Sequence, residues 1–452
     1  MGKTDALKRK GKVVQKKSFP WPLCALLLLV FIGLYFYIIA LSSYSKTHQP
    51  PPHQPFIINS SFSSPLHSLS PPKDKDDESV CDYTNGKWVF DNLGPLYNDE
   101  SCGTVKEGRN CRSHGRPDVE YLNWRWAPEK CNLPRFDPRT FLQILKNKHL
   151  AFVGDSLARN QLESLLCMLA TVSPPELVYL QGEDSQFRKW HFPAQHLNVS
   201  IYWSPFLVKG VEKNNEKNYN VLYLESVDES WGSDIGEIDV LVLSVGHWFL
   251  LPAVFYYEGK VLGCHYCEGQ NYTEIGFYGA FEMAHKTAFK TILERKGPSG
   301  GSIDVIVTTF PPAHYEGEWD KFGACSKTLP YKPEEKVLEG IEYEMRNVGI
   351  VETKEAKAKS KAKEFGDRIR FEALDITKLS LLRPDAHPGP YMNPNPFHDG
   401  IKDRVQNDCV HWCLPGAIDT WNEILLEVVN PERKGRYRSL FSGLSLLCFG
   451  VS

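Results

Sequence analysis

The sequence predicts an α/β fold, built on a mainly parallel sheet and set behind one N-terminal transmembrane helix. The chain has 452 residues, of which 42% are hydrophobic, so it can bury a full core. Short β-rich runs alternate with amphipathic helical patterns, which implies parallel strands covered by helices on both faces. The predicted strands are 149–153, 199–203, 239–245, 304–309 and 370–374, and the predicted helices are 158–172, 278–296 and 333–348.

The N-terminal element is predicted to be a membrane anchor. Residues 23–41 run for 19 positions without a charge, and as a helix they would be roughly 28 Å long, close to the hydrocarbon thickness of a bilayer. Basic residues are concentrated in the tail 1–20, so the positive-inside rule leaves the N-terminus cytosolic and the body on the far side. A cleaved signal peptide is the alternative, but its apolar region is usually shorter and ends at a small-residue cleavage site. We therefore assign 21–43 as a single-pass, type II signal anchor.

Composition divides the remaining chain. Residues 44–79 are rich in Pro, Ser and His without apolar periodicity, which predicts a stalk. Residues 80–136 are dense in Cys, Trp, Gly and Arg, which predicts a loop-rich, disulfide-stapled subdomain. Residues 137–430 carry the α/β pattern, and their charged stretch 352–364 is predicted to be a solvated helix or loop. The tail 431–452 has no assigned role.

The charge distribution argues against nucleic acid as a partner. The net charge is −3, but the first 17 residues carry +6, which leaves −9 for the rest of the chain. Binding to phosphate backbones needs a concentrated basic face, and a mildly acidic body does not supply one.

Cysteines and glycosylation sequons agree with an oxidising lumen. Two of the 12 cysteines lie in the predicted anchor and tail, which leaves ten in the body. Three N-x-[ST] sequons accompany them, at Asn59, Asn198 and Asn271. Together these features predict a disulfide framework in a luminal glycoprotein.

The first β–α junction holds a candidate nucleophile. A buried strand is predicted to end in Gly154-Asp155-Ser156, directly before a helix. Ligands of open α/β sheets bind outside the carboxyl ends of strands, and the free N–H groups of a helix N-terminus can stabilise an oxyanion. Gly154 permits the tight turn. The alternative is that Ser156 is an ordinary helix N-cap.

A candidate base and its orienting acid lie near the end of the body. Asp408 precedes His411 by three residues, a spacing that places both side chains on one face of a helical turn. The carboxylate can then fix the imidazole tautomer, and Ser156 completes a nucleophile–base–acid set. The alternatives are a packed His411 with Asp408 as a helix cap, or a metal site that includes Cys409 and Cys413. We predict no metal, because the lumen favours disulfides over thiolates. Cys264 and Cys267 could be redox-active or bind a metal, but we interpret them as structural or unpaired.

A third candidate element closes the predicted strand 239–245. Gly246, His247 and Trp248 would lie at another carboxyl edge of the sheet and could contribute a backbone or imidazole donor to an oxyanion site. His247 and Trp248 are equally compatible with a packing role in the core.

Three motifs together resemble a known family. GDSLARNQ (154–161), VGHWF (245–249) and DCVHWCLPGAIDTWN (408–422), with the luminal cysteines and the anchor, are similar to the plant trichome birefringence-like proteins. These are Golgi polysaccharide O-acetyltransferases with an SGNH/GDSL-esterase-like core, and the resemblance covers about residues 80–429. It implies a Golgi membrane location and an SGNH/GDSL-like acyltransferase domain over 137–430.

The resemblance also implies roles for individual residues. Ser156 would be the nucleophile, His411 the base and Asp408 its partner. The implied disulfides are Cys81–Cys131, Cys102–Cys167, Cys111–Cys413 and Cys325–Cys409, with Cys264 and Cys267 bonded to each other or free. Simple esterases of this type use an Asn in the third block for the oxyanion hole, where this chain has His247. Arg159 or Asn160 could compensate.

The sequence-based hypothesis is a two-step acetyl transfer through an acetyl-serine intermediate. No cofactor is expected to stay bound; acetyl-CoA or another acetyl carrier would be a co-substrate. The acceptor would be a hemicellulose hydroxyl, with xyloglucan favoured over mannan, glucomannan or xylan. Trp124, Trp126 and Trp248 could stack on sugar rings or pack in the core. The rival functions are a carbohydrate acetylesterase and a non-catalytic glycan-binding protein.

Overall fold

The computed structural model describes residues 81–430, except 99, 183–185, 268, 299–300, 364, 366–367 and 403. The predicted basic tail, anchor, stalk and C-terminal tail, together with the sequon at Asn59, lie outside the described residues. Among the helices that are described, none combines the length and the apolar character needed to cross a bilayer.

Within the described residues, thirteen strands form one large sheet, one small sheet and one antiparallel pair. The strands are β1 (Gly86–Phe90), β2 (Trp124–Pro128), β3 (His149–Gly154), β4 (Glu176–Gln181), β5 (Phe187–Phe192), β6 (Leu197–Trp203), β7 (Val208–Val211), β8 (Asn220–Val227), β9 (Val240–Ser244), β10 (Ala253–Tyr257), β11 (Lys260–His265), β12 (Ile303–Thr308) and β13 (Ile369–Leu374). The large sheet has the order β13-β12-β9-β3-β6-β5-β4, and its first five strands are parallel.

The prediction of a mainly parallel sheet holds for these five strands, but the sheet as a whole is mixed. β5 and β4 extend it as antiparallel strands, and neither was predicted. The small sheet, β11-β10-β8-β7, was also missed. β7, β10 and β11 each have exposed or half-exposed residues at one end, so they lack the continuous buried apolar runs that mark the central strands.

Helices cover both faces of the large sheet, as the alternation of strands and helices predicts. The α-helices are α1 (Pro138–Ile144), α2 (Ser156–Ala170), α3 (Glu229–Gly232), α4 (Tyr278–Lys296), α5 (Gly340–Ala362), α6 (Thr377–Leu381) and α7 (Asp419–Val429). Along β3, Leu150 and Phe152 join the apolar core shared with α2 and α7, while Ala151 and Val153 join the core shared with α4. Successive side chains of a strand point to opposite faces, so β3 lies between the two cores.

The predicted helix 333–348 is wrong in its bounds. The helix there, α5, begins at Gly340 and continues to Ala362, through the stretch predicted to be solvated. One face of that stretch is buried: Glu352, Ala356 and Ser360 are each at most 3% exposed. The Lys and Glu residues between them point outward. Because these residues make up most of the stretch, its composition predicts a solvated segment and does not reveal the buried face.

The cysteine-rich segment packs into the same core as the α/β body. The antiparallel pair of strands β1 and β2 buries Trp88 and Trp126, whose rings meet edge to face at a centroid distance of 5.5 Å. The Trp88 indole N–H donates to the carbonyl of Leu379, 2.9 Å away. Trp126 is 1% exposed and donates to the Tyr83 carbonyl, so this residue is part of the core and cannot stack on a sugar.

Candidate active site

Ser156 lies where the central strand β3 passes into α2. All six residues of β3 are buried. Gly154 is required there, because a Cβ at this position would lie 1.9 Å from the Ser244 carbonyl oxygen on β9. Asp155 is the N-cap, and its carboxylate accepts the Leu157 N–H at 2.9 Å. Ser156 is therefore the first helical residue rather than the cap, and it is half-buried at the carboxyl edge of the sheet.

The Asp155 carboxyl group is buried beside this turn. Burial raises its pKa to about 6, although the N–H groups of Leu157, Gly246 and Ala158 and the nearby His411 act in the opposite direction. Its Oδ2 has no hydrogen-bond partner among the described residues. Asp155 thus serves as a helix cap and also lies within electrostatic range of His411.

Asp408 holds His411 in one orientation. Its Oδ2 accepts from His411 Nδ1 at 2.7 Å, and its Oδ1 accepts the backbone N–H groups of His411 at 2.9 Å and Val410 at 3.1 Å. The segment forms a turn closed by the carboxylate rather than the predicted helical turn. Burial by itself would raise the pKa of Asp408, but the charge of His411 and these donors outweigh it and hold the pKa well below its usual value.

This arrangement leaves one His411 nitrogen as an acceptor. Because Nδ1–H donates to Asp408, a neutral ring carries its lone pair on Nε2. Nε2 is buried and has no hydrogen-bond partner among the described residues. A neutral imidazole with an oriented, unpartnered Nε2 can take a proton from a hydroxyl group.

Hydrogen bonds tie the His411 segment to the helix of Ser156. The Asn160 side chain, one turn into α2, accepts the Trp412 N–H at 2.8 Å and donates to the Trp412 carbonyl at 3.3 Å. Two disulfides, Cys325–Cys409 and Cys111–Cys413, join the body on either side of His411. They exclude the alternative metal site, because neither cysteine offers a thiolate.

Arg109 is a positioning residue that sequence reasoning missed. Its guanidinium is buried, forms an ion pair with Glu163 of α2 at 2.6 Å and donates to the Ser156 carbonyl at 3.1 Å. Its own carbonyl accepts the Leu414 N–H at 2.9 Å. Arg109 thus contacts both segments of the site. The sequence shows only that Arg109 lies in a Cys-rich segment, and this feature is too general to identify a site residue.

The third predicted block lies beside the same site. His247 Nε2–H donates to the Pro311 carbonyl at 2.8 Å, and its ring packs on Phe310 with centroids 4.6 Å apart. Burial lowers the pKa of His247 to about 4, so the ring is neutral at pH 7 and its Nδ1 is an acceptor. Its imidazole N–H is therefore engaged by the Pro311 carbonyl and does not serve as the oxyanion donor that the sequence suggested.

An open cavity of about 570 Å³ adjoins this block. Its wall is mostly apolar and aromatic and includes His247, Trp248, Phe310, Tyr315 and Val410. Trp248 is partly buried and meets Trp203 edge to face at 5.3 Å. Val410 is the residue before His411, so the cavity opens next to the Asp408–His411 turn.

The other predicted donors, Arg159 and Asn160, are both buried. The Arg159 guanidinium lies over the Trp203 ring at 5.1 Å. The Asn160 amide is engaged with the Trp412 backbone, as described above. Asn160 thus aligns the His411 segment, a role different from the predicted oxyanion contact.

Cysteines and sequons complete the list of sequence-based assignments. The four implied disulfides are present, and Cys264 is bonded to Cys267, the first of the two alternatives for that pair. With Glu274 they form the one cluster of three potential metal ligands in the described part of the chain, but the disulfide removes both thiolates. Asn271 is exposed, whereas Asn198 lies within β6 and its amide contacts His191 at 3.0 Å.

Comparison with known proteins places this fold and site in a family. Residues 133–428 match the model of PC-Esterase, described as a GDSL/SGNH-like acyl-esterase family found in Pmr5 and Cas1p, and residues 79–132 match the PMR5 N-terminal domain. Xyloglucan O-acetyltransferase 1 of Populus trichocarpa is 57% identical over 415 residues, which cover 92% of this chain and 93% of the relative.

Three further relatives are similar over most of their length. Xyloglucan O-acetyltransferase 2 of Populus trichocarpa is 60% identical over 80% of this chain and 84% of the relative. Xyloglucan O-acetyltransferase 1 of Arabidopsis thaliana is 52% identical over 82% of this chain and 86% of the relative. The Arabidopsis protein trichome birefringence-like 26 is 39% identical over 89% of this chain and 87% of the relative. The chain therefore belongs to the PC-Esterase family of GDSL/SGNH-like proteins and, within it, to the trichome birefringence-like proteins.

Proposed function

We propose that this protein transfers acetyl groups from an acetyl donor to hydroxyl groups of xyloglucan. Relatives that are 52–60% identical over most of the chain bear the name xyloglucan O-acetyltransferase, and this supports the choice of acceptor. The observation that carries the chemistry is the Asp408–His411 pair: His411 Nε2 is buried without a hydrogen-bond partner among the described residues, and the next residue, Trp412, is hydrogen-bonded to the helix that begins at Ser156.

The first step forms an acetyl-serine. His411 Nε2 takes the proton of the Ser156 hydroxyl while Oγ attacks the acetyl carbonyl carbon, and the bond from acetyl to donor breaks. The leaving group then receives the proton from His411. Asp408 stabilises the imidazolium that exists between these two transfers.

The second step returns the enzyme to its starting state. A sugar hydroxyl gives its proton to His411 and attacks the acetyl-serine carbonyl, so an ester forms on the sugar and Ser156 recovers its proton. Each step passes through an oxyanion. The N–H groups at the start of α2, where helix geometry leaves donors without intrahelical partners, are in position to stabilise it.

The wall of the 570 Å³ cavity suits a neutral glycan. Aromatic side chains such as Trp248 and Tyr315 can cover the apolar face of a sugar ring. The body carries a mild negative charge, which disfavours the binding of an anionic polysaccharide. Xyloglucan is uncharged, so its binding requires no concentrated basic face.

We further propose that residues 21–43 anchor the chain in the Golgi membrane with its body in the lumen, and that acetyl-CoA or another acetyl carrier supplies the acetyl group. Glycosylation tests the topology. In plant cells Asn271→Gln should remove one endoglycosidase-sensitive glycan, because Asn271 is exposed, whereas Asn198→Gln should not change the mass shift. A full-length chain without any glycan would contradict the luminal location.

The decisive experiment compares the full-length protein with Ser156→Ala and with the control Ser173→Ala, which lies three residues beyond the other end of α2. Each is incubated with labelled acetyl-CoA or an artificial acetyl donor and with xyloglucan, glucomannan or xylan oligosaccharides. Mass spectrometry should find acetylated xyloglucan with wild type and Ser173→Ala but not with Ser156→Ala.

Other outcomes separate the rival functions. Release of free acetate without acetylated sugar would indicate an acetylesterase. Preferred acetylation of glucomannan or xylan would reassign the acceptor. Equal acetylation by Ser156→Ala would refute the serine mechanism, and glycan binding without acetyl transfer by any variant would indicate a non-catalytic protein.

A further inference from the structure

Two buried histidines contact each other next to the His411 segment. His314 Nδ1 lies 2.7 Å from His387 Nε2, and the two rings are 3% to 8% exposed. The outer nitrogens contact backbone carbonyls: His314 Nε2 lies 2.9 Å from the Leu381 oxygen, and His387 Nδ1 lies 2.7 Å from the His411 oxygen. The pair therefore connects Leu381, the last residue of α6, to the backbone of the candidate base, His411.

The number of hydrogens that the two imidazole rings carry follows from these three contacts. Carbonyl oxygens only accept, so His314 carries a hydrogen on Nε2 and His387 carries one on Nδ1. If both rings were neutral, the facing nitrogens would each hold a lone pair at a separation of 2.7 Å. Two lone pairs repel at that distance, whereas an N–H···N hydrogen bond fits it. The geometry thus requires a third hydrogen between the rings.

Turning either ring over does not remove this requirement. A flipped ring would place carbon atoms against the partners that now lie 2.7–2.9 Å from its nitrogens. Even a C–H···O contact needs a separation of about 3.3 Å. The nitrogen positions are therefore determined by contacts at both ends of each ring.

We propose that His314 and His387 share one proton, carry a single positive charge as a pair, and act as positioning residues that hold the His411 backbone. The link to catalysis rests on the proposed function, but the shared proton does not. Without that proton the two rings would repel each other, and the bond from His387 to the His411 carbonyl would lose its support.

Burial opposes charge on either ring, so the shared proton is favoured by the hydrogen-bond geometry of the pair, and a second proton is excluded. Burial lowers the pKa of each ring, and two cations 2.7 Å apart in a buried site would repel strongly. The Trp412 ring lies 4.2 Å from the His387 ring, where it can stabilise a cation. The charged groups facing the pair are Asp385, Asp408 and Glu316, which favour the proton, and Arg116 and Lys336, which oppose it; the His411 carbonyl also favours it.

The shared proton has a measurable effect on stability. Well above pH 6.5 the unfolded chain binds almost no proton at either histidine, while the native pair binds one, so native stability falls as the pH rises. The slope corresponds to a change of up to tenfold in the unfolding constant per pH unit, until the pair releases its proton. Neutral rings would produce no such slope.

The variant His314→Asn isolates this effect. Its amide N–H can donate to the Nε2 of a neutral His387, so the contact between the side chains survives without the extra proton. His285→Asn is the control, because His285 is also a buried histidine but contacts the Phe281 carbonyl on α4. Unfolding constants of the full-length proteins are measured by denaturant titration from pH 6 to pH 9.

We expect the unfolding constant of wild type to rise more steeply with pH than that of His314→Asn, and His285→Asn to follow wild type. Parallel curves for wild type and His314→Asn would overturn the shared proton. The same comparison in a Ser156→Ala background removes any dependence on catalysis. A slope there, without acetyl transfer by the parent protein, would retain the proton pair and reject the proposed function.

The positioning role has its own readout. Hydrolysis of p-nitrophenyl acetate reports formation and breakdown of the acetyl-serine without any acceptor sugar. We expect the alkaline limb of the pH–kcat profile to shift in His314→Asn relative to wild type and His285→Asn. An unchanged profile in a variant whose stability slope is lost would confine the pair to a structural role.

Discussion

At the scale of single residues, the orientation of His411 depends on three bonds to one carboxylate. Asp408 accepts from the ring Nδ1 and from two backbone N–H groups of the same turn, so the side chain and the backbone of His411 are held together. The usual pKa of Asp is 3.8, and that of Asp408 lies well below it. The carboxylate is therefore charged throughout the physiological range.

Asp408→Asn tests this orientation. The amide can present its NH₂ group to His411 and favour the wrong tautomer, so we expect kcat for acetyl transfer to fall by a factor on the order of 10³–10⁴ with little change in KM. The ionic contribution of Asp408 to stability is present above pH 3.8 and is lost as the pH falls toward its lower native pKa.

In denaturant unfolding, the difference in stability between wild type and Asp408→Asn should therefore shrink as the pH falls below 4. A tenfold or smaller loss of kcat would contradict the assignment of His411 as the base that Asp408 orients.

At the scale of elements, the strand–turn–helix unit from β3 to α2 positions Ser156, the proposed nucleophile. Gly154 allows β3 to approach β9, and Asp155 caps α2, so Ser156 begins the helix at the edge of the sheet. The sequence shows this unit clearly, because a buried strand, a Gly and a cap residue stand next to each other. α5 shows the opposite case: the C-terminal part of its buried face includes Glu352, Ala356 and Ser360, of which only Ala356 is apolar.

Asp155→Ala and Asp137→Ala form a matched pair of cap variants. Asp137 caps α1 and accepts the N–H groups of Arg139 and Thr140. Each Ala variant loses an N-cap, which costs about 1 kcal/mol of unfolding free energy. Only Asp155→Ala should also lower the rate of acetyl transfer, because Asp155 borders Ser156 and lies near His411. Equal activity of the two variants would contradict a role for the Asp155 cap in the site.

Asp155→Asn separates the cap from the charge. The amide oxygen still accepts the Leu157 N–H, while the buried carboxylate is removed. Burial raises the pKa of Asp155 to about 6, so its ionisation reduces native stability as the pH rises from about 4 through 6. The stability of Asp155→Asn relative to wild type should therefore increase over this range in denaturant titrations.

At the scale of the whole molecule, disulfides connect distant segments around the site. Cys111–Cys413 joins residues 302 positions apart, and Cys325–Cys409 joins residues 84 positions apart. Both end within two residues of His411. Cys81–Cys131, by contrast, closes a 50-residue segment of the N-terminal subdomain.

Removal of each bond by a double Cys→Ser change should distinguish these roles. Loss of a native disulfide typically reduces stability by about 2–5 kcal/mol. We expect the Cys325/Cys409 variant to lose acetyl transfer under conditions where its circular dichroism remains native, because the Asp408–His411 turn loses an anchor. The Cys81/Cys131 variant should lose stability but keep its kcat when folded. If the Cys325/Cys409 variant kept its kcat and the Cys81/Cys131 variant lost it, the Cys325–Cys409 bond would not be what anchors the Asp408–His411 turn.

The sequence by itself determined the class of fold, the five parallel strands and the three residues proposed for catalysis. These features depend on local patterns: apolar runs, a turn before a helix, and a carboxylate three residues from a histidine. The disulfide pairing followed from the resemblance to a family rather than from the spacing of cysteines.

Only the tertiary structure decided which residues support the site. Arg109, Asn160 and the His314–His387 pair contact it across 24 to 252 positions of sequence, in part through carbonyls that any residue could supply. Such contacts leave no periodic trace, because the partner of a buried polar group is chosen by folding and not by its neighbours in the chain. The antiparallel edge strands and the true start of α5 depended in the same way on packing, which short polar segments do not reveal in advance.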